Sequence, residues 1–463
     1  MRNVRFHRPA ISRKLLFSAV WVFLCTCILY ECGPESIEEP AEYRTATHVT
    51  LNWNQLLLDL ERQTPGYRPP VSGRMFAYVE MSAYEAALPA LDGYVSMENF
   101  CHGYARTPFP HPAGQFFLPA SVNAAYATIL RDFFSSAPPA LLKQIDRLES
   151  ENRAAFPEKT GGGAVQVSES FGRAVAENVW QWSKTDRAGH EGNLKNFDAA
   201  YAPPRCSGCW QPTGSARMSA LLPHWGDVRA FVVRPGEFQE KPPVPFEEVP
   251  GSAFYTEAME VFSVSQPLSR ENHWIAELWS DDLPGLTISP AGRWISIANQ
   301  ALSKARTPFP DMIETYLKSA LALCDAGIVV WSVKYRYNVE RPESYIRRVI
   351  QADWSPLHDS PSFPSYPSGH SAFGAAVAEV LSAELGDHFQ LTDRTHENRQ
   401  EFAGKSRSYD SFADMAKENA ASRVLLGVHY RMDCEEGMRL GKLIGQKIAG
   451  LPLKQKESVT VRQ

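Results

Sequence analysis

Apolar residues recur every three or four positions along most of this chain, which is the spacing of helices that bury one face. In the first half the pattern predicts five helices: Leu51–Arg62, Arg74–Ala87, Ala120–Phe134, Leu141–Phe156 and Gln166–Lys184. In the second half it predicts seven more: Ser252–Ser265, Arg270–Trp279, Trp294–Ser303, Asp311–Tyr335, Ser371–Leu385, Phe412–Val428 and Glu435–Ala449. Convincing strand patterns are nearly absent. We therefore predict an all-α fold whose long helices pack as bundles.

The helical pattern is interrupted at length over residues 196–250. This stretch contains nine prolines and short apolar runs, so it predicts a long connection with at most a small hairpin. A chain of 463 residues also exceeds the size at which one core usually keeps growing. We therefore predict an N-terminal helical subdomain with a Pro-rich crossover, 49–250, and a C-terminal helical bundle, 251–463.

The N-terminus has the layout of a secretory signal. The apolar run Leu15–Tyr30 is short for a membrane span and follows a cluster of basic residues. Cys32 after it resembles the lipidated cysteine of a bacterial lipoprotein, although Glu31 stands where a small residue is usual. We expect residues 1–31 to be a signal peptide or lipoprotein signal, with an uncleaved anchor as the alternative, and residues 32–48 to be a polar tether. We therefore expect the protein to be exported, either free in the periplasm or anchored to a membrane.

Composition and net charge exclude some classes of function. Hydrophobic residues make up 44% and charged residues 21% of the chain, as in soluble globular proteins. Removing residues 1–31, with five basic residues and one acid, takes the formal charge from −5 to −9. A surface of that sign argues against nucleic acid as a partner. Any anion site must therefore be a local feature.

Two cysteines lie close together in the Pro-rich stretch. Cys206 and Cys209 form a CxxC pair that could be half of a zinc site or a local disulfide. Tetrahedral zinc needs two further ligands, and neither a second CxxC nor a nearby histidine pair supplies them. The sequence favours a loop disulfide or two free thiols.

The first of three chemically suggestive segments carries two cations. Lys334 lies near the end of a long apolar helix, and Arg341 follows seven residues later. Pro342 disfavours helical structure at Arg341. The two cations would then project from a helix end and from the loop beyond it, where they can surround a small anion. Taken alone, such a pair is more often a solvated face.

The second segment is Pro367-Ser368-Gly369-His370, followed at once by a helix of small and apolar residues. Glycine lets the backbone approach a ligand closely, and the free N–H groups at a helix start attract oxyanions. His370 would lie beside a ligand bound there. A helix cap with an incidental histidine explains this segment equally well.

The third segment contains Ser422, Arg423, His429 and Asp433. At 3.6 residues per turn, positions 422, 429 and 433 fall on one stripe of a helix. Asp433 can accept a hydrogen bond from one ring nitrogen of His429 and leave the other as a lone pair aimed at a metal centre. A purely structural His–Asp hydrogen bond is the alternative.

In this order, the three segments resemble the signature of the type-2 phosphatidic acid phosphatase superfamily. The defining residues are all present: Lys334, Arg341, Pro342, Pro367, Ser368, Gly369, His370, Ser422, Arg423, His429 and Asp433. The resemblance implies one helical pocket with two known chemistries. Acid phosphatases hydrolyse phosphate esters through a phosphohistidine on the second histidine, and vanadium haloperoxidases hold vanadate in the same pocket. A non-catalytic oxyanion-binding protein is a third reading.

Two aromatic residues favour the haloperoxidase. Trp331, one turn before Lys334, and Phe363, which opens the Phe-Pro-Ser-Tyr-Pro-Ser-Gly-His run, resemble the halide-pocket aromatics of chloroperoxidases and bacterial iodoperoxidases. Plain core aromatics are the alternative for each. The resemblance is to exported bacterial members, which implies hydrogen peroxide and a halide as substrates, with iodide or bromide favoured. The sequence leaves the oligomeric state open.

The resemblance also implies a role for each residue. The oxygens of vanadate would be held by Lys334, Arg341, Ser368, Gly369 and Arg423. His429 would bond vanadium, His370 would act as the general base, and Lys334 would also polarise hydrogen peroxide. Asp433 would support His429, and Asp281 or Asp282 would pair with Arg423.

Overall fold

The structure is a computed structural model that describes residues 39–455, other than 102, 107–115, 158–160, 214–217, 266, 282, 284, 398 and 401–404, and of residue 187 only the backbone. The chain divides into two units, Met1–Pro40 and Ala41–Gln463. The signal peptide, the lipidation site Cys32 and the first part of the tether lie outside the described residues.

Helices dominate the described part of the chain, so the prediction of an all-α fold is confirmed. The α-helices are α1 Ala41–Gln63, α2 Val71–Ala87, α3 Leu118–Phe133, α4 Pro139–Ala154, α5 Gly162–Lys184, α6 Arg187–His190, α7 Ala253–Ser265, α8 Arg270–Leu278, α9 Pro290–Ala305, α10 Phe309–Tyr337, α11 Pro342–Val349, α12 Gly369–Leu385, α13 Phe412–Leu425 and α14 Arg431–Ala449. Short 3₁₀ turns span Leu88–Ala90, Met97–Asn99 and Trp225–Asp227. The described residues also form two small antiparallel pairs of strands: β1 Phe197–Asp198 with β2 Ala220–Leu221, and β3 Leu391–Asp393 with β4 Arg407–Tyr409.

The structure extends the first predicted helix and adds two, α6 and α11, that the sequence did not predict. Helix α1 begins at Ala41 instead of Leu51, so the last part of the predicted tether, 41–48, is helical. Ala46 and Val49 are buried there, and this apolar contact stabilises helix in a stretch whose composition is mostly polar. Helix α11 was not predicted, because its eight residues span only about two helical turns, too short a stretch for a repeated apolar pattern.

The predicted single helical stripe through positions 422, 429 and 433 is wrong. Helix α13 ends at Leu425 and α14 begins at Arg431. Gly427 has a φ of +80°, a left-handed conformation that interrupts the helix and that glycine adopts without a Cβ clash. Asp433 lies in the first turn of α14 and accepts from the backbone N–H of Tyr430, which caps that helix. His429 is therefore a loop residue.

Helix α10 is the centre of the core. It packs against α2, α12 and α14, and its side chains are buried along most of its length. By length and composition it resembles a membrane span, but 89% of its most apolar window is buried inside the protein, as expected for a core helix. Its last turn carries Lys334 toward the interior.

Small residues bring α12 and α14 into backbone contact. Three glycines of α14 face α12: Gly437, Gly441 and Gly445. A Cβ on them would lie 2.4, 2.3 and 2.3 Å from the carbonyl oxygens of residues 368, 372 and 376, so a larger side chain would push the helices apart. This close approach brings the start of α12 next to the start of α14.

The division into subdomains at residue 250 stays a prediction. Ala41–Gln463 forms one compact unit, and its largest apolar cluster contains residues from both sides of that boundary, such as Phe76 and Leu321. The stretch 196–250 contains the β1–β2 pair and little other regular structure.

Candidate oxyanion site

The three sequence segments meet at one buried place. Lys334 comes from the last turn of α10, Arg341 from the extended residue before α11, and His370 from the first turn of α12. Arg423 comes from the last turn of α13, and His429 from the loop before α14. All five side chains are at least 93% buried. The positions of these five residues along the chain do not by themselves show that their side chains meet.

Lys334 is held by backbone carbonyls. Its Nζ donates to the carbonyl oxygens of Pro364 at 3.0 Å and Ser365 at 2.9 Å. The same ammonium lies 5.1 Å from the ring centre of Phe363 and 5.8 Å from that of Trp331. Burial and the charge of Arg341 hold the pKa of Lys334 well below its usual value. A nearby anion would favour its charged form.

Arg341 joins two of the segments. Its Nε donates to the carbonyl oxygen of Phe363 at 2.9 Å, and its Nη1 donates to that of Val428 at 2.7 Å. Nη1 also lies 3.2 Å from Nε2 of His429. The guanidinium is stacked 4.8 Å from the centre of the Phe363 ring. These contacts orient the planar group beside the histidine.

His429 is oriented by a carboxylate. Its Nδ1 lies 2.9 Å from Oδ2 of Asp433, an oxygen that also accepts from the Ser365 hydroxyl. An ionised Asp433 makes Nδ1 the protonated nitrogen and leaves a lone pair on Nε2, toward Arg341. Burial, then the charges of Arg341, Lys334 and Arg423, hold the pKa of His429 well below its usual value. Its neutral form is therefore favoured.

The start of α12 forms another side of the oxyanion site. Ser368 caps the helix, and its backbone N–H donates to the carbonyl oxygen of Asp433 at 2.8 Å. A Cβ at Gly369 would approach the Trp331 ring to 3.2 Å, so glycine keeps this turn close to the aromatic side chain. Burial, then the charges of Arg423, Lys334 and Arg341, hold the pKa of His370 well below its usual value. His370 is thus a neutral base in a cationic environment.

Asp281 or Asp282 was predicted to pair with Arg423, and the structure describes the first of them. Asp281 accepts from His396 at 2.7 Å and lies 3.5 Å from Arg293, so Asp281 does not fill the predicted role, and the pairing of Asp282 with Arg423 stays a prediction. The buried Arg293 competes for this carboxylate, which the sequence did not show. Asp282 lies outside the described residues. Arg423 donates from Nη1 to the carbonyl oxygen of Trp279 at 3.0 Å.

The donor set fits a tetrahedral oxyanion such as vanadate. Three buried cations surround two histidines that are favoured in their neutral forms, and Asp433 is the carboxylate in contact with His429. An anion would relieve the repulsion among the cations, and its oxygens would accept their N–H groups. The described residues contain no group of three or more His, Cys, Asp or Glu side chains that could hold a metal cation.

Comparisons with known proteins find vanadium-dependent peroxidases. A family model described as the VCPO second helical-bundle domain matches residues 349–453. Vanadium chloroperoxidase of Curvularia inaequalis is 23% identical over 86% of this chain and 80% of that enzyme. A vanadium-dependent bromoperoxidase of Ascophyllum nodosum is 32% identical over 18% of this chain and 17% of that enzyme. The sequence similarity is therefore weak but spans most of the chain.

A solved structure gives the stronger comparison. It is described as the first bacterial vanadium-dependent iodoperoxidase, and it superposes with a TM-score of 0.75 at 28% identity, covering 87% of this chain and 95% of its own. Together, these comparisons support a relationship to the vanadium haloperoxidase family. A holo-type bacterial vanadium-dependent chloroperoxidase shares the fold, with a TM-score of 0.65 at 18% identity, covering 84% of this chain and 93% of its own.

Sequence reasoning missed several groups that contact the residues of this candidate site. Ser365 contacts Asp433, but a single serine in a loop has no spacing that marks it. The carbonyl oxygens of Trp279 and Val428 hold the two arginines, and backbone acceptors carry no sequence signal. The two predicted aromatic residues do lie together: the ring centres of Trp331 and Phe363 are 5.0 Å apart beside Lys334, and their role toward a halide stays a prediction.

Proposed function

We propose that this protein is a vanadate-dependent haloperoxidase that oxidises a halide with hydrogen peroxide. The observation that carries the proposal is the burial of Lys334, Arg341 and Arg423 close enough to His429 to lower its pKa, with Arg341 at its Nε2. The family relationship supports the choice of vanadate over other oxyanions.

The residues divide into holding groups and a proton-transfer group. Lys334, Arg341 and Arg423 would hold the oxygens of vanadate, with the Ser368 hydroxyl and the Gly369 N–H at the helix start. His429 would bond vanadium through Nε2. When bound, vanadate supplies a Lewis-acidic centre that activates hydrogen peroxide toward attack by halide.

His370 would act as the general base. Its neutral ring can take a proton from hydrogen peroxide, and the surrounding cations favour its return to the neutral form. Lys334 would stabilise the negative charge that develops as the oxygen–oxygen bond breaks. Trp331 and Phe363 would exclude water from the halide approach, because both rings lie against the Lys334 ammonium.

For the halide, we propose iodide or bromide. The iodoperoxidase at 28% identity and the bromoperoxidase at 32% identity over a short stretch support this choice. The chloroperoxidases match at lower identity. Competition among equimolar iodide, bromide and chloride tests it, and faster oxidation of chloride contradicts it.

For localisation, we propose export to the periplasm or attachment to a membrane as a bacterial lipoprotein. Support comes from the basic cluster, the apolar run Leu15–Tyr30 and Cys32. Mass spectrometry of the mature N-terminus, with Cys32→Ser as the control, distinguishes the possibilities. Lipidated Cys32 supports the lipoprotein, a cut without lipid supports a soluble periplasmic protein, and an unprocessed cytoplasmic chain contradicts both.

The deciding experiment is peroxide consumption by the apo protein before and after addition of vanadate, with and without halide. We expect consumption only when vanadate and halide are both present. Hydrolysis of a phosphate ester without vanadate would instead indicate an acid phosphatase. Tight oxyanion binding with neither activity would indicate a binding protein.

A further inference from the structure

The CxxC pair of the Pro-rich stretch contacts the segment between the first two site cations. Cys206 and Cys209 form a disulfide, which decides between the alternatives left open by the sequence. Cys209 pairs with Val339 in an isolated antiparallel bridge. Gly208 accepts through its carbonyl oxygen from the backbone N–H of Glu340 at 2.9 Å.

A further hydrogen bond extends this contact to the end of α10. The backbone N–H of Trp210 donates to the carbonyl oxygen of Asn338 at 2.7 Å. Asn338 has a φ of +53° and ends the helix that carries Lys334. The disulfide loop, defined here as residues 206–210, is thus hydrogen-bonded to residues on both sides of Val339, two positions before Arg341.

The segment 338–341 is held from two sides. On one side lies the disulfide loop. On the other, the carbonyl oxygen of Val339 accepts from the backbone N–H of Ser365 at 2.8 Å, and Arg341 donates to Phe363. The backbone direction at Arg341 therefore depends on contacts with both neighbours.

The disulfide loop is itself fixed by packing. Trp210 is fully buried. Gly208 has a φ of +74°, and a Cβ there would lie 2.4 Å from the Phe246 ring. Cys206 is exposed at the opposite end of the loop, where a small reductant can reach the disulfide. The loop thus connects the surface to the backbone that presents Arg341.

We propose that the Cys206–Cys209 disulfide loop is a positioning element of the oxyanion site, which orders residues 338–340 and so directs Arg341 toward the anion. The inference rests on the proposed function of that site. Reduction by a dithiol transfers two electrons and two protons: the sulfur–sulfur bond breaks, two thiols form, and the reductant becomes a cyclic disulfide. Without the covalent closure, packing alone holds the turn that presents the Gly208 carbonyl and the Trp210 N–H, and the turn opens locally more often.

The test measures binding of inorganic phosphate to the apo protein by calorimetry, because dithiols reduce vanadate but not phosphate. Three samples are compared: the oxidised protein, the protein after reduction and removal of the dithiol, and the Cys206→Ser/Cys209→Ser variant. We expect reduction to weaken phosphate affinity by about tenfold, the lower end of the loss seen when supporting contacts of a bound centre are removed. Reoxidation restores the affinity, and the double variant shows the weaker value in both conditions.

Controls separate positioning from general stability. Thiol titration of the native protein must show two more thiols after reduction than before it; among the described residues, the other cysteines, Cys101, Cys324 and Cys434, are buried. Val165→Ala, in a small peripheral apolar cluster, should lower the melting temperature without changing phosphate affinity. Equal affinity in both redox states, with two thiols released, overturns the positioning role. Failure of the oxidised protein to bind phosphate or vanadate overturns the proposed function itself.

Discussion

At the scale of single residues, the site depends on two histidines in different roles. His429 has its Nδ1 against Asp433 and its Nε2 toward Arg341, so one nitrogen is available for a bond. His370 lies at the helix start, and its backbone carbonyl accepts from Asn419 at 3.0 Å. Both rings are favoured as neutral bases by burial and by the same three cations. We therefore expect their substitutions to have different effects.

Changing His429 to Ala removes the predicted covalent ligand of vanadium. We expect vanadate retention and halide oxidation to be lost together. Vanadium content of the purified variant after reconstitution and desalting measures this directly. A variant that keeps the wild-type vanadium content shows that the ligand is another residue.

Changing His370 to Ala leaves the cations and His429 in place. We expect vanadate still to bind, while turnover falls by roughly a hundredfold or more, the usual effect of losing general acid–base catalysis. Vanadate affinity and halide oxidation should be measured on both histidine variants side by side. Equal loss of binding in the two variants is incompatible with this division of roles.

Vanadate retention should depend on pH through Asp433. Burial raises the pKa of Asp433 to about 6, so the carboxylate takes up a proton as the pH falls through that value. The charged form orients His429, so affinity should be full above this pKa and should decrease below it. We expect Asp433→Asn to weaken affinity by about 10- to 100-fold and to lose this step in the pH profile. A variant profile with the same step would assign it to another group.

At the scale of helices and loops, the break between α13 and α14 determines where His429 lies. Gly427 turns the chain in a left-handed conformation, and a Cβ there would lie 3.0 Å from the Trp354 ring. The N–H of Val428 donates to the carbonyl oxygen of Arg423, which keeps the end of α13 next to the loop. The break places Arg423 and His429 together although no continuous helix joins them.

Gly427→Ala should therefore affect stability and binding together. We expect a loss of about 1–2 kcal/mol in the free energy of unfolding from the left-handed backbone, and weaker vanadate affinity because His429 shifts. Denaturant unfolding and vanadate titration measure the two effects. Gly236→Ala is the matched control, since Gly236 has a φ of +83° and a Cβ added there would have no atom within 4 Å. Similar changes of affinity in both variants would exclude a specific effect at His429.

At the scale of the whole molecule, the negative net charge contrasts with the cationic site. The formal charge is −5, so the protein as a whole does not attract anions. The three site cations are buried, where added salt screens them little. Oxyanion recognition should then be determined by contact with the buried groups.

Phosphate should compete with vanadate during reconstitution, because the site recognises tetrahedral shape and charge. Sodium chloride at matched ionic strength should have a much smaller effect, since screening at a buried site is weak. Halide oxidation measured after reconstitution with each salt gives the comparison. If excess phosphate leaves reconstitution unchanged, the oxyanion site lies elsewhere in the protein.

The sequence by itself determined the helical class and predicted the chemistry of the site. Apolar periodicity reflects burial of one helix face, so it marked most helices, and the spacing of Lys334, Arg341, His370 and His429 marked the chemistry. Only the tertiary structure decided the break before His429, the partner of Asp281 and the position of the disulfide loop on Val339. These depend on carbonyl oxygens, on competition among buried charges and on contacts between residues far apart in the chain, none of which has a local pattern.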